Sequence, residues 1–117
     1  MLLDFATRPT VAENDVEYWE ERPLDGAWYR YEDSSSHQSS VHLRRPRVIR
    51  ETPKGVWLDD YGVERFVLKN ARKRWAYPTI ELARESFLIR KRKQIGWLRA
   101  QLDHVTAVLA ATEKHFG

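Results

Sequence analysis

The side chains of this sequence best equipped to do chemistry are its arginines and its five tryptophans. Arginine presents a planar fork of donors that grips phosphate through two hydrogen bonds and also lies flat on an aromatic ring, while an indole offers a broad stacking face. Arg50 stands just before a turn, Trp75 just before a long helical pattern, and Arg84, Arg90 and Lys91 within that pattern. A helix start adds free amides and a partial positive charge, both of which favour an anion. A pocket built from arginine, an aromatic ring and a helix start suits a nucleotide better than a peptide. Two plainer readings stay open at this level: Trp75 as core packing and Arg50 as an arginine on the surface of a strand.

The residues that would support catalysis are not arranged for it. Without cysteine there is no thiolate nucleophile, disulfide or cysteine zinc site. His37, His42, His104 and His115 have no partner at the spacing a helix needs to share a metal, and no metal is expected. Asp33 to Ser40 places acid, serines and His37 near one another, but no nucleophile-elbow pattern accompanies them. Asp59 and Asp60 are adjacent carboxylates in a polar turn, where solvation is the expectation. The glycines are isolated, so no phosphate-cradling loop is encoded. Binding without turnover and without a cofactor is the reading that remains.

The formal net charge of +3 conceals a polarised chain. Residues 1–26 carry seven acids and two bases, residues 27–78 eleven bases and six acids. Bases gather in Arg44-Arg45-Pro46-Arg47, Arg72-Lys73-Arg74 and Arg90-Lys91-Arg92-Lys93, which suggests a partner bearing phosphate. Such runs can also simply solvate a surface. No stretch approaches the ~20 apolar residues of a membrane span, and Asp4 interrupts the amino terminus where a signal peptide would be apolar. The expectation is a cytoplasmic protein with no membrane partner.

The elements that must position these residues are an α+β set. At 117 residues a single domain, 1–117, is expected: an irregular arm over 1–15, an antiparallel meander of about four to six strands over 16–74, and a helix over 75–117. Val16–Glu20 and Ala27–Glu32 read as strands, the second showing Trp28, Arg30 and Glu32 on one face and Ala27, Tyr29 and Tyr31 on the other. Val41-His42-Leu43 begins a strand that Arg47–Glu51 continues past Pro46, Thr52-Pro53-Lys54-Gly55 turns it back, and Asp59-Asp60-Tyr61-Gly62 turns again before Arg65–Leu68. Pro78 and Thr79 mark a helix start. Leu88, Ile95, Leu102 and Leu109 recur at seven-residue spacing with Leu98 and Val105 between them, the stripe that one helix offers another. The helix is expected to pack on the sheet and to reach a second chain, with Gly96 as its one break point.

Thr52-Pro53-Lys54-Gly55-Val56-Trp57, Phe66-Val67-Leu68, Arg72 to Thr79, and Ser86-Phe87 followed by Arg90-Lys91 and Gln94-Ile95 resemble a family of small phage proteins. Over about residues 45 to 105 the chain is similar to the Thoeris anti-defence sponges, which sequester cyclic ADP-ribose-type signals. The resemblance implies an antiparallel sheet followed by helix, a homo-oligomer (dimer or higher) paired through helices, and a phage protein working in the bacterial cytoplasm. It implies a pocket of arginines and an aromatic ring, with a cyclic di- or trinucleotide at a second site in some members. Carried over by position, Arg50 and Trp75 would hold base or ribose, although phenylalanine is the commoner residue at Trp75. Glu85 replaces the asparagine expected before Ser86-Phe87; its carboxylate would repel phosphate or accept from a ribose hydroxyl. Arg84, Arg90 and Lys91, with Arg22 or Arg99, would neutralise the pyrophosphate. A rival reading is a basic accessory protein that binds nucleic acid or blocks a host defence effector by direct contact.

Overall fold

The computed structural model describes residues 12–35 and 38–117. Most of the expected arm and His37 therefore lie outside the described residues. A single 3-10 turn, Glu13–Asp15, precedes six strands: β1 (Glu17–Trp19), β2 (Arg30–Ser34), β3 (Ser40–Arg44), β4 (Val48–Glu51), β5 (Gly55–Asp60) and β6 (Val63–Leu68). One helix, α1 (Ile80–Phe116), follows. The strands-then-helix α+β arrangement holds, but the chain divides into two units, one ending at Ala83 and the other running from Arg84 to Gly117.

The strands do not form one meander. They make two three-stranded sheets, ordered β1-β3-β2 and β4-β5-β6, and β1 runs parallel to β3. Pro46 is the reason the expected β3–β4 continuation fails. Proline has no amide to donate, so a ladder cannot run through it. The segment instead turns to residues 26–28: Trp28 N donates to the Pro46 carbonyl at 2.9 Å and Val48 N to the Gly26 carbonyl at 2.8 Å. The chain thus leaves the first sheet at Arg44 and enters the second at Val48.

Side-chain alternation places the core as the pattern demands. Ala27, Tyr29 and Tyr31 are buried, as is Leu43, which pairs with Tyr31. In the second sheet Val56, Leu58 and Val67 point inward and cluster with Ala76, with Trp28, Val48 and Trp75 against them. Trp57 and Phe66, partners across β5 and β6, meet on the other face with ring centroids 5.1 Å apart. Gly55 starts β5 without a left-handed φ; its role is close approach, since a Cβ there would sit 2.3 Å from the Val67 carbonyl oxygen. The β5–β6 turn does use left-handed backbone, with φ of 50° at Tyr61 and 86° at Gly62. Two such residues make a primed turn that matches the twist of the strands, but a side chain at that φ costs about 1–2 kcal/mol.

Thr79 caps α1: its Oγ1 accepts from Leu82 N at 3.2 Å. Gly96 does not break the helix, which runs through it for 37 residues. An added Cβ at Gly96 would meet nothing within 4 Å. Gly96→Ala should therefore strengthen the helix by about 1 kcal/mol, read as a later loss of the 222 nm circular dichroism on heating. Among the described residues no helix is long and apolar enough to cross a membrane.

Candidate functional site

Trp75 is placed by its neighbour Tyr77. Tyr77 exchanges backbone hydrogen bonds with Tyr29 at 2.7 and 2.9 Å, which lays residues 75–77 along the approach to β2. Ala76 is fully buried and Trp75 packs on the core edge. Three guanidinium groups lie over its indole: Arg65 at 4.4 Å and Arg30 and Arg44 at 5.1 Å each. Arg30 Nη1 also donates to the Trp75 carbonyl at 2.8 Å.

These arginines are held by two carboxylates in an alternating chain. Glu32 accepts from Arg30 Nε at 2.9 Å and Arg44 Nη1 at 3.1 Å. Asp60 accepts from Arg44 Nη2, and from Arg65 Nε and Nη2 at 3.1 and 2.9 Å. Asp60 is thus no solvated turn residue; its side chain and that of Arg44 are each 13% exposed. Hydrogen bonding from Arg44 holds the Asp60 carboxyl below the usual range against the opposing effect of burial, with Arg65 assisting. Burial pushes the Glu32 carboxyl up, but hydrogen bonds and charge from Arg44 and Arg30 outweigh it and the net direction is down. Burial likewise opposes the charged form of Arg44, and its bonds to Asp60 and Glu32 reverse that. Since β2 and β3 belong to one sheet and β5 and β6 to the other, the network clips the sheets together around Trp75.

Arg50 lies over Trp57 at 4.8 Å and pairs with Glu64 at 3.2 Å; it is not among the arginines over Trp75. The Trp75 ring is thus engaged by guanidinium groups from β2, β3 and β6. Arg22 is exposed and its carbonyl accepts from Arg45 Nη1 at 2.9 Å. Arg84, Glu85, Arg90, Lys91 and Arg99 lie on α1 beyond Ala83. There Arg90 and Lys91 sit over Phe87 at 5.3 and 5.5 Å, and Lys91 Nζ donates to Gln94 at 2.7 Å. Glu85 and Arg99 are exposed.

A different set of residues forms a groove of about 420 Å³ in the sheet unit. Parallel pairing sets Trp19 of β1 beside His42 of β3, and their rings stack 6.1 Å apart at 8°. The basic run after β3 supplies Arg44, Arg45 and Arg47, and the β5–β6 turn supplies Asp59 and Tyr61. Arg44 and Arg45 are committed, the first to the clip and the second to Glu21. Arg47 is exposed and makes no ion pair among the described residues. Asp59 Oδ1 accepts from Gly62 N at 2.8 Å, which leaves its second oxygen for a hydroxyl donor. The groove thus offers flat rings, a cation with no carboxylate partner among the described residues, and acceptors on Asp59 and Glu21, a set that suits a base, a phosphate and a ribose.

Ser40 Oγ lies 2.8 Å from His42 Nε2. Nucleophilic catalysis also needs a group orienting the other ring nitrogen and donors for an oxyanion. Glu32, paired with His42 across β2 and β3, is bound to arginines instead. Residue order does not show this groove, because Trp19 reaches His42 only through the β1–β3 pairing and Arg47 reaches Asp59 only through the backbone bond from Asp59 N to the Arg47 carbonyl at 2.9 Å. The Arg44-Arg45-Pro46-Arg47 run was the one sequence signal pointing to the groove.

Along α1, Trp97, Leu98, Gln101, Leu102 and Val105 line an apolar concavity contributed by one helix alone. Leu88, Ile95, Leu98, Leu102, Val105 and Leu109 are all exposed. No family model, curated protein or solved structure matches the chain significantly.

Proposed function

We propose that this chain is a phage counter-defence protein that binds a cyclic nucleotide immune signal, a cyclic ADP-ribose isomer, and sequesters it without degrading it. The observation that carries the reading is the groove, where Arg47, which makes no ion pair among the described residues, lies with the Trp19–His42 stack, Tyr61 and Asp59. Tight binding alone lowers the free concentration of a signal, so no covalent step is required. The words shared with the sponge family supply the ligand class. The protein acts in the bacterial cytoplasm during infection as a dimer or higher oligomer, its copies joined through the exposed stripe that repeats every seven residues along α1.

Calorimetry against cyclic ADP-ribose isomers, cyclic di- and trinucleotides and linear ADP-ribose tests this directly. Arg47→Ala should weaken the bound member of the panel at least tenfold, about 1.4 kcal/mol, the lower end for one charge-assisted contact to phosphate. Heating the complex should return the ligand chemically unchanged. Recovery of a hydrolysed product would replace sequestration by catalysis.

The exposed basic pairs Arg72-Lys73 and Arg92-Lys93 favour a second reading, contact with nucleic acid or an acidic effector surface. Backbone binding of that kind weakens steeply with salt because counterions are released. Groove binding should change far less between 50 and 200 mM salt.

A further inference from the structure

We infer that Tyr61 is the stacking wall for the ring of a nucleoside diphosphate in the groove, an assignment that rests on the groove being the binding site. Tyr61 and Gly62 alone join β5 to β6, and both have left-handed φ. Glycine, asparagine and aspartate adopt that conformation readily, whereas a bulky aromatic is strained there. The strain is not relieved by burial, because the residue is 85% exposed. A fold selected for stability alone would place asparagine at this turn.

What the aromatic does at this position is hold a ring at the groove. Its phenyl face lies 4.2 Å from the Arg44 guanidinium, and Arg44 is itself fixed by Glu32 and Asp60. The ring therefore has a rigid support on one side. It lines the same groove as Arg47 and Asp59. A base against the tyrosine would leave its phosphates for Arg47 and its ribose hydroxyls for the free oxygen of Asp59. A ring backed by a fixed guanidinium stands ready to stack before any ligand arrives, which limits the ordering that binding requires.

The test pairs Tyr61→Asn and Tyr61→Phe with two probes, ADP and inorganic pyrophosphate, which share the diphosphate and differ in the nucleoside. Tyr61→Asn should bind ADP at least tenfold more weakly than the unaltered chain and leave pyrophosphate binding within twofold. Tyr61→Phe should keep ADP affinity within about threefold. The thermal midpoint of Tyr61→Asn should equal or exceed that of the unaltered chain, which separates lost stacking from lost folding. Equal ADP affinity in Tyr61→Asn and the unaltered chain overturns the assignment, and so does equal weakening of ADP and pyrophosphate. Failure of the unaltered chain to bind ADP also overturns it. Failure to bind any member of the cyclic nucleotide panel removes the sequestration reading itself.

Discussion

Asp60→Ala should destabilise the sheet unit by about 2–3 kcal/mol and lower its thermal midpoint by roughly 10 °C. The carboxylate receives hydrogen bonds from two guanidinium groups, and its removal leaves the largely buried Arg44 with Glu32 alone while Arg65 loses its ion pair. An uncompensated charge that is shielded from water costs more than the pair contributed. Arg50→Ala is the control of opposite expectation. Arg50 and Glu64 are each about half exposed, so that pair should be worth under ~1 kcal/mol. Comparable losses from the two substitutions, measured by urea unfolding, would show that the clip is not a special fastening.

The same network sets an acid limit. Asp60 and Glu32 both have carboxyls held below the ordinary range in the folded chain. A group with a lowered folded pKa binds its proton more readily when unfolded, so its contribution is complete above the unfolded value and disappears as pH falls through the folded one. Stability should therefore be level from neutrality to about pH 5 and decline from roughly pH 4 downward. In Asp60→Ala that decline should be shallower. Arg44, its pKa raised, stays charged throughout this window and adds no slope.

Leu102→Asp combined with Leu109→Asp should halve the mass in solution, or reduce it further if more than two copies assemble. Both residues are more than half exposed in the single chain, at 65% and 58%, so the substitutions remove little from the folded monomer. In a helix pair they sit at successive positions of the repeat, where a carboxylate would be buried against leucine without a partner. Losing ~3 kcal/mol of association energy weakens assembly more than a hundredfold. Ala107→Asp, exposed but off the repeat, should leave the mass unchanged. Light scattering distinguishes the outcomes: an unaltered chain that is itself monomeric, or a double variant that keeps its mass, removes the helix pairing.

These two expectations lie on opposite sides of what could be read from residue order. The repeat along α1, its start at Pro78-Thr79 with the Thr79 cap, the placing of Ala27, Tyr29 and Tyr31 on one strand face and the Thr52–Gly55 turn were all legible in the sequence. Each is governed by forces acting within a few residues: a proline that restricts the residue before it, a hydroxyl reaching an amide, side chains alternating along a strand. The clip and the groove were not. Arg30 meets the Trp75 carbonyl across 45 positions and Arg44 meets Asp60 across 16. Which carboxylate a guanidinium finds among many is decided by strand pairing. Here the pairing follows from Pro46 sending the chain to a second sheet and from β1 joining β3 in parallel. Residue order therefore determined the local elements and the cationic, aromatic character of the surface. Only tertiary pairing decided that Trp75 would be held by Arg30, Arg44 and Arg65, that Arg50 would lie over Trp57, and that Arg47 and Tyr61 would line one groove.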